Sequence, residues 1–351
     1  MLKRVLTTFV LLSGVHAAAA AESCSLPSIA ATVPLKPVAN SNLLTAPVEI
    51  NGKPKEFLLA ISGNPTEISQ AAINDLGLVK DVKYGARMEY NMSLFGMGGE
   101  GGGNSSVENM GVPMTDARSG RSADPVAQVD IGAFTIGGAT GKGLKFVMSK
   151  DKELGHSKPW DGLLSGDFFR KYDVELDFGD KQMVYLTADT CADPNKMVFW
   201  PHGAVAVMPM SVLDGKMQVQ VTIGDQVVNA VIDTTLDRSV MRRDVAEELF
   251  GFRAGTPEMV QVADRKDGRG NPVYGHTFKQ LSLEGVVAAN VPVLIQSNSD
   301  NKDLDRAPIL GSRAQFTPEK IPALSLGMDV LSHLHLYVAY AQDKIYATAA
   351  R

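Results

Sequence analysis

Several familiar classes are excluded by what this sequence lacks. No basic stripe interrupts a chain whose formal charge is −5, so nucleic acid is not an expected partner. Its glycine runs never end in Gly-Lys-Ser/Thr, and no strand-to-helix context surrounds them, which argues against a phosphate-cradling loop. No Ser/His/Asp arrangement and no nucleotide fingerprint occurs. His333 and His335 form "HLH", but no third ligand cluster accompanies them. Neither a metal nor another cofactor is therefore expected, and the pair reads as part of a plain surface strand. Beyond the N-terminal stretch, no segment is long and apolar enough to span a bilayer. Cysteine is scarce, with only Cys24 and Cys191.

What is present starts with an address. Lys3 and Arg4 precede the apolar "VLTTFVLLSGV" (5–15), and small residues follow through Ala21. This pattern predicts a signal peptide over 1–21. Losing Lys3 and Arg4 with it would take the net charge from −5 to −7. The apolar core is too short for a permanent membrane anchor, and "AESC" lacks the residues expected before a lipidated cysteine. A periplasmic or secreted location is expected. In such a compartment the two cysteines are expected to form a single disulfide, although two buried thiols are the alternative.

The 351 residues suffice for two domains, and 33 glycines with 18 prolines favour turns and strands over long helices. The most informative feature is an internal repeat. Shifted by 173, "VEINGKPKEFLLA" (48–60) lies on "VTIGDQVVNAVID" (221–233). Shifted by 147, "FTIGGATGKGLKFVM" (134–148) lies on "LSLEGVVAANVPVLI" (281–295). Shifted by 162, "GDFFRKYDVELDF" (166–178) lies on "MDVLSHLHLYVAY" (328–340). The falling shifts place extra residues in the first copy, mainly the glycine-rich span from Gly96 to Pro125, expected to be a mobile loop or hairpin. The organisation read from this is a tail over 22–32, a first lobe over 33–188, a linker over 189–205 and a second lobe over 206–350.

Each copy is dominated by strands. "PVEINGKPKEFLLAI" predicts a hairpin closed by Asn51-Gly52. "DVELDFGDKQMVYL" (173–186) predicts a second, outer hairpin, with Val174, Leu176 and Phe178 alternating against Glu175 and Asp177. Short helices are expected in "QAAINDLGLV" (70–79) and "RRDVAEELFG" (242–251).

These blocks resemble the aspartic proteases of the retropepsin and pepsin type, in particular bacterial exported relatives with two retropepsin-like lobes in one chain. That family carries an apolar strand into Asp-Thr/Ser-Gly, then a Gly-rich flap, then an apolar pair with Gly beside the catalytic loop. In the second copy "AVIDTT" (230–235) matches the first element and "ALSLGMDVL" (323–331) the last. "LLAISG" (58–63) and "DGLLSGDFF" (161–169) take those places in the first copy. "FGMGGEGGG" (95–103), with Gly98 and Gly99, suits one flap; "GRGNPVYG" (268–275), with Gly268 and Gly270, is its weaker counterpart. The resemblance covers nearly all of the mature chain. It implies an all-β, bilobal acid-protease fold of two similar closed barrel-like lobes with short helices.

The family's chemistry uses two carboxylates that share one proton, one acting as base toward water and the other as acid toward the carbonyl. By resemblance Asp233 takes one catalytic position, but Ala60 stands where its partner should be. Ile61 replaces the threonine whose hydroxyl reaches across to the other lobe. Ser62 and Thr235 replace the loop glycines, where a side chain is expected to strain any backbone needing positive φ. Ser165 replaces a flanking glycine that Gly327 retains, and Asp167, recurring as Asp329, reads as a structural turn acid. Asp161 also flanks the first-lobe apolar pair. The resemblance implies a ligand surface made of Thr234, Thr235, Ile61, Ser62, Gly63 and the flap glycines. The function expected is non-catalytic recognition of an extended peptide or polypeptide in the interlobe cleft. An active endopeptidase using Asp233 is the alternative, and a structural scaffold in an envelope assembly is a second.

Overall fold

Asn51 and Gly52 both sit at positive φ, 52° and 78°, and close a tight hairpin as their sequence predicts. The computed structural model describes residues 28–63, 65–86, 126–149, 159–170, 172–186, 197–200, 203–213, 215–267, 270–297 and 322–350. The segment 1–21, the expected Cys24–Cys191 bond, the glycine-rich span with Gly98 and Gly99, and Gly268 lie outside these residues. No helix among the described residues is long and apolar enough to cross a membrane.

The first half contains β1 (Ile29–Pro34), β2 (Lys36–Pro37), β3 (Leu44–Ile50), β4 (Lys53–Ala60), β5 (Glu67–Ile68), β6 (Val82–Ala86), β7 (Val126–Ile136), β8 (Ala139–Met148), β9 (Gly162–Ser165), β10 (Asp173–Asp177) and β11 (Gln182–Leu186). The second contains β12 (Ala206–Pro209), β13 (Ser211–Leu213), β14 (Lys216–Ile223), β15 (Gln226–Ile232), β16 (Val240–Arg242), β17 (Val260–Lys266), β18 (Pro272–Leu283), β19 (Val286–Gln296), β20 (Leu324–Leu326), β21 (Leu334–Ala339) and β22 (Lys344–Ala349). Helices α1 (Gln70–Leu76) and α2 (Arg243–Leu249) occupy equivalent places, and the short α3 (Met328–Leu331) follows β20. Ser69 caps α1 by accepting from the Ala72 N–H, and Gly77 ends it at φ 74°.

One sheet runs β2-β3-β4-β9-β5-β8-β7-β6, and a second runs β13-β14-β15-β20-β16-β19-β18-β17. Adding eleven to every strand of the first gives the second. Extra pairings, β3 with β7 and β14 with β18, close each into a six-stranded barrel. The register repeats as well. Leu59 pairs with Leu164 where Ile232 pairs with Leu326, and Ile50 pairs with Phe134 where Ile223 pairs with Leu281. All three sequence shifts are therefore spatial correspondences.

The two cores differ in kind. Phe57, Phe134, Phe146 and Phe168 pack together in the first barrel, with ring centroids 5.2–6.2 Å apart. The repeat places Ala230, Leu281, Val293 and Val330 there in the second. Volume is balanced across neighbouring strands: Phe57 pairs with Gly162, whereas Ala230 pairs with Leu324. A Cβ on Gly162 would lie 2.4 Å from the Phe57 ring, so glycine there is the complement of the phenylalanine.

A third sheet, β1-β11-β10-β21-β22-β12, takes three strands from each half. The hairpin expected at 173–186 forms as β10 with β11, but its position is corrected, because it is not an outer one. β10 pairs with β21 at the centre of the shared sheet, and its polar face is covered by Trp200 and the apolar residues near it. Asp173 on that face is fully buried and accepts from the Tyr337 hydroxyl at 3.1 Å.

Candidate functional site at the junction of the barrels

Two strand ends meet between the barrels. β4 runs parallel to β9 and ends at Ala60, opposite Ser165. β15 runs parallel to β20, and the Asp233 N–H continues the ladder by donating to the Leu326 carbonyl at 2.9 Å. Thr234 Oγ1 then crosses the junction. It donates to the Leu59 carbonyl at 2.7 Å and accepts from the Ile61 N–H at 3.2 Å, so one hydroxyl spans the peptide groups on either side of Ala60. Ile61 has no hydroxyl with which to return the exchange. The crossing contact that the family makes in both directions is made here in one.

The loops reach across in a second way. Ser62 Oγ accepts from the Met217 N–H at 3.1 Å, and the Gly63 N–H donates to the Gly215 carbonyl at 2.9 Å. From the other side, Asp237 Oδ1 accepts from Ser41 Oγ at 3.0 Å and the Asn42 N–H at 2.6 Å. Each loop is thus pinned to the segment entering the other barrel. These contacts left no trace in the sequence, because each joins segments more than 150 positions apart, where no local pattern connects the partners.

Asp233 is half-buried, and its Oδ1 accepts twice from Thr235: from the N–H at 3.0 Å and from Oγ1 at 2.6 Å. The residue replacing the loop glycine therefore holds the orientation of the acid. The strain expected at Ser62 and Thr235 is absent, since neither is among the residues at positive φ; in these loops only Gly63 is, at 141°. Ala60 is 2% exposed, so a methyl group rather than a carboxylate faces the junction from the first barrel. A single carboxylate can act as acid or as base in one step, but not as both.

Behind the loops a matching pair of acids secures the turns. Asp167 accepts from Thr66 Oγ1 at 2.5 Å and from its N–H at 3.2 Å, while Thr66 Oγ1 accepts from the Ser165 N–H at 3.1 Å. Asp329 accepts from Ser239 Oγ at 2.7 Å and its N–H at 2.8 Å, and Ser239 Oγ accepts from the Gly327 N–H at 3.0 Å. The structural role read from the Asp167/Asp329 repeat is what these bonds describe. Asp161, in turn, accepts from the Glu56 N–H at 3.0 Å and lies 3.6 Å from Lys55. Gly327 stays glycine for a steric reason: a Cβ would stand 2.6 Å from the Arg238 carbonyl carbon. Ser165 carries a Cβ at the same register, so the first-barrel loop must leave it room.

Burial pushes the Asp167 carboxyl up from its ordinary value, against the Thr66 bonds that favour its charged form. The folded protein then holds this proton more tightly than the unfolded chain does. Its contribution to stability is complete below the unfolded value and is lost as pH rises through the folded one. Asp167→Asn removes that titration. In urea denaturation across the acidic range, wild type is expected to lose stability relative to Asp167→Asn as pH rises. A difference that stays constant with pH would contradict this account.

Gly270 lies in the turn between β17 and β18 at φ 83°, and its N–H donates to the Asp267 carbonyl at 2.9 Å. Asp267 Oδ1 also accepts from the Asn271 N–H at 2.9 Å, which secures the turn. The surface-strand reading of "HLH" is corrected for His335, which is buried on β21, while His333 is exposed in the turn before it. Among the described residues no group of three or more His, Cys, Asp or Glu could hold a metal.

Two barrels repeating one register, with a threonine following an aspartate across their junction, define an aspartic-protease-like architecture. Residues 219–330 match the family model described as Aspartyl protease, so the resemblance read from the sequence is shown on that span, which carries Asp233, Thr234, Thr235 and Gly327. No curated protein matches the chain. Among solved structures, it is similar to conglutin gamma, a basic 7S globulin from lupine seeds, at 11% identity and a TM-score of 0.47, over 92% of this chain and 95% of that one. It is also similar to the basic 7S globulin from soybean, at 10% identity and a TM-score of 0.47, over 91% and 96%. No reading of function rests on either likeness.

Proposed function

We propose that this is an exported, aspartic-protease-like binding protein that holds an extended peptide or polypeptide between its lobes without cleaving it. The observation that carries the reading is Ala60, buried at the register where the repeat demands the second acid. Backbone pairing of a bound strand with the β17–β18 hairpin needs no carboxylate pair. The N-terminal signal pattern supports a periplasmic or secreted location, and no cofactor is called for. One observation favours a second reading, an endopeptidase: Asp233 is retained, and Thr235 fixes its carboxylate.

A mixed-sequence peptide library, incubated with the mature protein from acidic to neutral pH, separates these readings. Peptides are expected to be retained on the protein uncleaved, and Asp233→Asn is expected to retain the same set. Cleavage that disappears with Asp233→Asn would replace the binding reading with the endopeptidase. Neither retention nor cleavage would leave the scaffold.

A further inference from the structure

The strand pair that joins the two halves carries a histidine to which the protease-like site gives no role. His335 lies on β21 opposite Asp177 of β10, and only 8% of its side chain is exposed. Its Nε2 is 2.8 Å from Glu175 Oε1, and its Nδ1 is 3.5 Å from Asp177 Oδ2. The histidine belongs to the second half of the chain and both acids to the first. The Trp200 ring lies flat against the imidazole, with centroids 3.7 Å apart and planes 3° apart. Trp200 is itself fixed, since its Nε1–H donates at 3.0 Å to Oγ1 of Thr348, the residue paired with His335 on β22. The internal repeat does not explain the cluster, because the shift of 162 places Asp173 at the equivalent position.

A neutral imidazole has one N–H and one lone pair, whereas the protonated ring donates from both nitrogens. With a carboxylate at each nitrogen, either neutral tautomer turns a lone pair toward a carboxylate oxygen. Only the protonated ring satisfies both, and it lays its charge on the indole face. Among the described residues, the titratable groups facing the ring are Glu175 and Asp177 of β10. β22 offers Thr348 and the preceding segment offers Trp200, neither of which titrates.

We propose that His335 is a proton-dependent latch between the two halves. Protonated, it bonds Glu175 and sets its charge 3.5 Å from Asp177; deprotonated, it loses the charge that both acids attract, and the central strand pair of the shared sheet is held less firmly. The proposal rests on the shared sheet and not on the peptide-binding reading.

Trp200 is the reporter. The chain has two tryptophans, so Trp160→Phe leaves it as the sole indole. A charged imidazole stacked on an indole quenches its emission. In Trp160→Phe protein the emission is expected to be low in acid and to rise in one step as pH increases. That step should be lost when His335→Gln is added. Emission that stays flat in the His335 background would overturn the latch, and so would a step that survives His335→Gln unchanged. Heat denaturation gives a second reading in the full chain. The Tm gap between wild type and His335→Gln should be wider in acid than at alkaline pH, and an equal gap at both ends would also overturn it.

Discussion

Ala60→Asp combined with Ile61→Thr is expected to turn the protein into an acid peptidase. Thr234 Oγ1 bonds the peptide groups on both sides of Ala60, so a carboxyl placed there would stand across the junction from that of Asp233. Two carboxyls so placed cannot both ionise and would share one proton, giving an acid and a base at once. Ile61→Thr returns the missing half of the crossing contact. Ser62 is best kept, because its Oγ holds the Met217 N–H. Removing one member of a catalytic unit typically costs on the order of 10⁴-fold or more, so the double variant is expected to cleave library peptides at least about 10³-fold faster than its parent. Adding Asp233→Asn should return the rate to baseline. The new acid enters a site where Ala60 is 2% exposed, so some stability will be lost and folding must be checked in parallel. A folded double variant no faster than its parent would show that the missing side chains are not what keeps the site silent.

Thr234→Val is expected to produce the largest single-residue loss of stability at the junction. Valine keeps the shape of threonine and removes only the hydroxyl. Thr234 is 1% exposed, so the Leu59 carbonyl and the Ile61 N–H lose their shared partner where water does not replace it. Each such group costs roughly 1–3 kcal/mol, which makes the total on the order of 2–6 kcal/mol. In a chain of this size that corresponds to a Tm lower by several degrees or more. Thr235→Val is the comparison. It removes one hydroxyl bond to a half-buried carboxylate and should cost about 1–2 kcal/mol. Equal losses for the two variants would mean that the crossing hydroxyl does not hold the loops together.

The parts of this fold legible in the sequence are those that local chemistry writes twice. Asn51-Gly52 selects a tight turn by itself, and Ser69 with Gly77 brackets α1. Alternating apolar residues mark the barrel strands, and the paired copies fix their equivalence, because the same register must bury the same face in each. The same comparison exposed Ala60 opposite Asp233. It also separated Asp167 and Asp329 from the catalytic position, since an acid kept in both copies beside the loop is a turn partner in both.

The sequence could not show where the alternation misleads. Glu175 and Asp177 look like the solvent face of a hairpin, yet 12% and 20% of their side chains are exposed. Charged residues are normally outside, and these are inside because His335, 160 positions from Glu175, supplies the partner that makes their burial tolerable. The strain expected from replacing the loop glycines failed for a related reason. Residue type constrains φ only once the path of the loop is known, and here Gly63 alone carries the left-handed turn while Thr235 found a use for its hydroxyl. By itself, then, the sequence determined two copies of one barrel, their register and the loss of one acid, all properties of neighbours along the chain or between aligned copies. The tertiary structure alone decided the shared sheet, the Ser62 and Asp237 crossings and the buried histidine between two acids. Those depend on which backbone groups and charges meet across the junction, and pairings between distant segments leave no periodic trace in either copy.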